Sequence, residues 1–175
     1  MKKIAIILSL AIALILVFAS CEKSEDVRGN QIGDKAYGME LSVIDENGLN
    51  GEKVDPSNQG KITIINFWGV WCPYCIYEMP DLDKIASDYS EQVTVVAVHT
   101  NSRKDEAPGF ISNGYADSNI IFTLDTELDE YYGLFTDTGY YPYTVILDQE
   151  GKIISIKVGA TNYAGFYEEI KDYLK

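Results

Sequence analysis

Histidine occurs once in the 175 residues and cysteine only three times, and 14 basic residues stand against 27 acidic ones. Each scarcity excludes something. With His99 the single histidine and cysteines only at 21, 72 and 75, there is no second cysteine pair, so a four-ligand zinc site would have to recruit carboxylates. A net charge of -13 disfavours nucleic acid and anionic lipid headgroups as partners of the protein surface. No apolar run reaches the roughly 20 residues of a spanning helix. The chain shows no internal repeat, and its length suits one domain.

What the chain does carry is concentrated in residues 62–80, Ile-Thr-Ile-Ile-Asn-Phe-Trp-Gly-Val-Trp-Cys-Pro-Tyr-Cys-Ile-Tyr-Glu-Met-Pro. The run from Ile62 to Phe67 predicts a strand buried on both faces, and Met79, Leu82, Ile85, Ala86 and Tyr89 recur at helical spacing after it. Cys72 and Cys75 therefore open a helix directly after a core strand, where a redox dithiol needs only two cysteines three apart. At a helix start several backbone N–H groups lack partners and the dipole favours an anion, so a Cys72 thiolate is stabilised there. Pro73 suits an early helical position. Cys75 lies within disulfide reach, and its neighbours should bury it more deeply. Trp71 and Tyr74 flank the pair as candidates for an apolar contact patch, which Tyr140 and Tyr141 would extend, whereas Trp68 reads equally well as core. Glu78, one turn beyond Cys75, is either a carboxylate able to accept the Cys75 proton or a solvated surface group, and Pro80 should kink the helix. His99 reads as a polar strand end.

Before this unit, Lys2 and Lys3 precede an apolar segment from Ile4 to Phe18, which predicts an export signal over residues 1–20. Val17-Phe18-Ala19-Ser20-Cys21 resembles the lipobox of bacterial lipoproteins, and this resemblance implies a lipid anchor on Cys21. The alternative is an ordinary signal peptide cut near Ala19 or Ser20. Beginning at Cys21 leaves 12 basic against 27 acidic residues, a net charge of -15. Residues 21–31 read as a flexible tether and 32–175 as the folded domain. Residues 39–44 and 52–54 around an Asn47-Gly48 turn predict a hairpin covering a sheet edge.

Val93 to Val98 is a second β-branched run, so a βαβ crossover and parallel neighbouring strands follow. Downstream come a short helix over 105–113, a minor strand over 119–124, and a brief helix carrying Leu128, Tyr131, Tyr132 and Phe135. A tight antiparallel pair over 143–147 and 152–158 and a final helix capped by Asn162 or Thr161 complete the chain. The expected class is α/β, a central mixed sheet flanked by helices with an N-terminal β-hairpin extension.

This order, with the dithiol at the first helix and Pro142 opening the last hairpin, resembles thioredoxin. Asn66 to Cys75, Glu78-Met79-Pro80, Ile32 to Ala36 and Pro142-Tyr143-Thr144 resemble the extracytoplasmic TlpA/ResA branch, over about Ile32 to Leu174. The resemblance implies that Cys72 attacks, that Cys75 resolves, and that Pro142 is cis and lies against the dithiol. It also implies protein disulfide or thiol substrates, such as apocytochrome c or a repair enzyme, outside the cytoplasm. Electrons would come from a membrane thiol carrier, with no metal or cofactor, and the protein is expected to be a monomer. Asn66 stands where cytoplasmic thioredoxin has a buried carboxylate, and Tyr74 where a second proline is common. A disulfide-forming oxidase of the same fold is the runner-up. A thiol peroxidase would need another cysteine environment than Pro73-Tyr74 between two thiols, and a non-catalytic binding lipoprotein would not need Trp71, both thiols and the Pro142 hairpin.

Overall fold

A strand that is apolar on both faces belongs inside a sheet covered on both sides, and the computed structural model, which describes residues 28–175, is arranged that way around residues 62–68. In chain order the elements are β1 (Arg28–Gly29), β2 (Lys35–Ala36), β3 (Leu41–Asp45), β4 (Gly48–Val54), β5 (Ile62–Trp68), α1 (Pro73–Asp88) and β6 (Val93–His99). They continue with α2 (Ala107–Ser112), β7 (Ile120–Leu124), α3 (Glu130–Phe135), β8 (Tyr143–Leu147), β9 (Ile153–Val158) and α4 (Tyr163–Ile170). Seven strands form one mixed sheet in the order β4-β3-β7-β6-β5-β8-β9, and β1 and β2 form a separate parallel pair.

All seven residues of β5 are buried. It pairs in parallel with β6, from Ile62↔Val93 to Trp68↔His99, and antiparallel with β8. Side chains alternate across the sheet. Ile62, Ile64 and Trp68 join Met79, Leu82 and Ile85 of α1 and Phe166 and Ile170 of α4 on one face, while Ile65 and Phe67 join Tyr131, Phe135 and Val145 on the other. Asn66 thus points toward α1, the one polar side chain among apolar neighbours on that side of the strand.

The structure corrects several expectations. The strand over 119–124 is not minor: β7 lies inside the sheet, parallel to β6, because the β3–β4 hairpin adds itself to its outer side through Ser42↔Leu124 and Val43↔Thr123. Leu128 is 82% exposed and precedes α3 instead of packing with it. Asp129, at φ 52, separates the two, and the Asp125 carboxylate accepts the Tyr131 and Tyr132 N–H groups that open the helix. Residues 28–31, read as tether, belong to the fold: Arg28 Nη1 donates to the Ala36 carbonyl at 2.9 Å, and Gly29 is buried. The last helix is capped by Asn162, whose Oδ1 accepts the Gly165 N–H at 3.0 Å, and gives way after Ile170 to a 3-10 turn. The export signal, the lipobox and Cys21 lie outside the described residues.

Candidate active site

The site forms where β5 ends and α1 begins. Parallel strands present their carboxyl ends on one rim, and a turn from Trp68 to Cys72 carries the chain from strand to helix there. Cys72 is the N-cap of α1 with extended backbone angles, and Pro73 takes the first helical position, where its missing N–H costs nothing. The Cys72 Sγ accepts the Cys75 N–H at 3.2 Å, and the two cysteines form a disulfide with Cα atoms 5.3 Å apart. Cys75 is fully buried and Cys72 is 4% exposed.

The second wall is the loop before β8. The Tyr141–Pro142 peptide bond is cis, and Pro142 is buried. Tyr141 meets the Trp71 indole edge-on at 5.3 Å and stacks on Tyr132 at 4.7 Å. Burial pushes the Tyr141 phenol up to about 12, so it stays a neutral donor at every physiological pH. Tyr132 in turn donates its hydroxyl to the Tyr140 carbonyl at 3.0 Å. Asp125, by opening α3 at Tyr131 and Tyr132, therefore sets the platform under Tyr141. Nothing in the sequence around Asp125 announced that role, since it stands four residues ahead of Asp129, the N-cap position of α3.

Around the disulfide, Trp71 is 38% exposed, and Tyr74, Tyr77 and Tyr140 stand further out. Trp68 is not part of this patch; it is fully buried against His99, Phe110 and Phe122. Glu78 is not a surface group either. The spacing from Cys75 puts both on the inner face of α1, where Glu78 is fully buried, accepting Asn66 Nδ2 at 2.8 Å and the Thr161 N–H at 3.0 Å. Burial is the main cause raising its pKa from 4.5 to about 7, opposed by those two hydrogen bonds. Asn66 on the strand so supports a carboxylate supplied by the helix, and it also donates to Thr144 Oγ1 at 3.0 Å. Pro80 lies within α1, which continues through it to Asp88.

His99, read as a polar strand end, does end β6, and it is buried there. Its Nε2 accepts the Val70 N–H at 3.1 Å, and its Nδ1 lies 2.5 Å from the Thr100 carbonyl. The legible signal was its place as the last residue of an apolar strand paralleling the strand that leads into the cysteines.

Residues 31–172 match the Redoxin family. Thioredoxin-like protein YneN of Bacillus subtilis is 35% identical over 136 residues, 75% of this chain and 74% of that protein. Thiol-disulfide oxidoreductase ResA of Halalkalibacterium halodurans is 28% identical over 113 residues, 63% of this chain and 62% of its own length, so less than two thirds of that relative is spanned. The crystal structure of StoA from Bacillus subtilis is similar at a TM-score of 0.60 and 25% identity, over 76% of this chain and 96% of that one. A disulfide between the N-cap and third residue of the helix that follows a central strand is chemistry that this kinship and this geometry share, and the chain belongs to the Redoxin family as a thiol-disulfide oxidoreductase whose redox-active pair is Cys72 and Cys75.

Proposed function

We propose that the protein reduces disulfides of other proteins outside the cytoplasm, with Cys72 as nucleophile and Cys75 as resolving thiol. The observation that carries the roles is the N-cap position of Cys72, whose sulfur accepts a helix N–H while Cys75 is enclosed one turn on. In the reduced form the Cys72 thiolate attacks a substrate sulfur, forming a mixed disulfide and releasing the other substrate sulfur as a thiolate. Cys75 gives its proton to the Glu78 carboxylate and attacks the Cys72 sulfur. The second substrate thiol leaves, the Cys72–Cys75 disulfide forms, and a dithiol donor must return two electrons before the next cycle. Trp71, Tyr74 and Tyr141 offer an apolar seat for the substrate around the nucleophile. Pro142, which has no N–H, leaves the Tyr141 main chain free to pair with an extended substrate segment.

The surroundings of Cys72 support the reducing direction. A strong oxidant holds its reduced form in an unusually stabilised thiolate, and here Pro73 and Tyr74 between the cysteines add no positive charge to the helix terminus. The resemblance to the TlpA/ResA branch implies the same direction, a membrane thiol carrier as electron donor, and substrates such as apocytochrome c. Equilibrating the protein with glutathione and dithiothreitol buffers, read by tryptophan fluorescence, is expected to give a midpoint nearer the thioredoxin value of about -270 mV than the strong oxidant value of about -120 mV. A midpoint above roughly -180 mV would instead favour a disulfide-forming oxidase.

The proposal includes a lipid anchor on Cys21, after removal of residues 1–20, with 21–27 linking the lipid to the fold. Support comes from the basic Lys2-Lys3, the short apolar segment and Ala19-Ser20-Cys21. Among the described residues no helix is long and apolar enough to cross a membrane. One acyl chain holds a protein only marginally, so attachment needs at least two on the terminal cysteine. Mass spectrometry of the membrane fraction should find a chain beginning at a multiply acylated Cys21; an unmodified terminus elsewhere would remove the anchor.

A further inference from the structure

The turn that presents Cys72 is held from behind by one side chain. His99 ends β6 directly opposite Trp68 in the parallel register, and its imidazole is fully enclosed, with the Trp68 indole edge-on at 4.8 Å. Nδ1, 2.5 Å from the Thr100 carbonyl, must carry the ring hydrogen, because a carbonyl can only accept. Nε2 is then a lone-pair acceptor, and it takes the Val70 N–H at 3.1 Å. The same turn is closed by the Cys72 N–H donating to the Gly69 carbonyl at 2.9 Å. It has little room to settle elsewhere, since a Cβ on Gly69 would lie 2.6 Å from Trp71 Nε1 and 3.1 Å from Thr100 Cγ2.

We infer that His99 is a positioning residue for the dithiol: its neutral Nδ1–H tautomer fixes the Gly69-Val70-Trp71 turn through the Val70 amide, and a proton arriving at Nε2 removes that acceptor and releases the turn under Cys72. The acidic groups facing the ring are Asp129, from the loop before α3, and Glu106, from the 3-10 turn before α2. Asp125 reaches it only through the backbone, its N–H donating to the His99 carbonyl at 2.9 Å, while its carboxylate is engaged by the adjacent Thr126 N–H and by the Tyr131 and Tyr132 N–H groups at the start of α3. Asp129 is itself satisfied by Thr100 Oγ1 and the Asn101 N–H. Asp129 and Glu106 favour the imidazolium, but burial opposes it more strongly and holds the ring below its ordinary value. The device is therefore closed at neutral pH and opens on acidification.

Since the chain has one histidine, the imidazole nitrogens of the full chain can be followed without assignment ambiguity by nitrogen NMR, alongside the Val70 amide. The expected result is an Nδ1-protonated neutral ring at pH 7 that gains charge only below about pH 6.5, with the Val70 amide shifting over the same range. In turnover of a protein disulfide, His99→Leu should lower kcat/KM about tenfold at neutral pH, the equivalent of about 1.4 kcal/mol, and the gap to wild type should close on acidification, where the wild-type ring loses the same acceptor. His99→Gln, which restores an acceptor near the Nε2 position and cannot titrate, should recover most of that rate and lose the part of the acid limb that follows the ring titration seen by NMR, leaving the part due to Cys72 and Glu78. An Nε2-protonated ring, a Val70 amide indifferent to the titration, or a folded His99→Leu variant within about twofold of wild type at all pH values would each overturn the inference. It rests on the thiol-disulfide reading of Cys72, and the NMR measurement needs no turnover. A wild-type protein without disulfide exchange would thus defeat that reading while the spectra still decide the fate of His99, even if His99→Leu fails to fold.

Discussion

Cys72→Ser is expected to reduce protein-disulfide turnover to the background of the reductant alone, a loss of at least about 10³-fold, as for deletion of a nucleophile. Cys75→Ser should also stop turnover, but by a different route. Its Cys72 still attacks, and the mixed disulfide then has no internal thiol to resolve it, so substrate proteins remain bound through Cys72 and separate on addition of excess reductant. The asymmetry has a physical origin. Cys72 caps α1, where free N–H groups and the dipole favour its thiolate, whereas Cys75 lies inside the first turn and is fully buried, which disfavours charge. Alkylation rates against pH in the two variants give the complementary measurement. The thiol of Cys72 should react with an apparent pKa below the free-cysteine value of about 8.5, and that of Cys75 should not. Faster alkylation of Cys75, or substrate trapped by Cys72→Ser and not by Cys75→Ser, would reverse the two roles.

The parts of this site that were legible in the sequence are those fixed by local periodicity. A β-branched run with no charge and only Thr63 and Asn66 polar reads as an interior strand, and apolar residues at helical spacing behind the cysteines fixed the helix and its inner face. Once the two thiols stood at that junction, their chemistry followed. The residues whose burial the sequence left open depend on partners far away in sequence. The fate of Glu78 turns on the Thr161 N–H, 83 positions on, and on Asn66 across the helix-sheet interface. His99 depends on Val70, 29 residues back, and β7 became an interior strand only because the N-terminal hairpin reaches across to it. Leu128 failed for a local reason: its helical spacing with Tyr131 and Tyr132 is real, but a left-handed Asp129 stands between them. Burial of a polar side chain is a tertiary property, so its charge and spacing alone left surface and core equally open.

Glu78→Gln should make the protein more stable at neutral pH and a poorer enzyme, and the two effects have one cause. In the folded state the carboxyl is held at about 7 against an ordinary 4.5, chiefly by burial. With the folded value above the unfolded one, its contribution to stability is fully present below pH 4.5 and is lost as pH rises to about 7, where the unfolded chain ionises more readily than the fold. The full penalty above pH 7 has an upper bound of about 3 kcal/mol at 1.36 kcal/mol per pKa unit. The neutral amide escapes it and should unfold at higher denaturant concentration at pH 8, with little difference from wild type at pH 4. That amide cannot, however, accept a proton. In the proposed cycle the carboxylate takes the Cys75 proton when the mixed disulfide is resolved, so that step should slow by about 10²-fold or more, while the first attack by Cys72 proceeds at the wild-type rate. Single-turnover mixing with a protein disulfide, quenched by acid and resolved by mass, would then show the mixed disulfide accumulating in Glu78→Gln and not in wild type. Unchanged resolution together with the predicted gain in stability would leave Glu78 a buried structural acid bound to Asn66 and Thr161, and another group would have to receive the proton of Cys75.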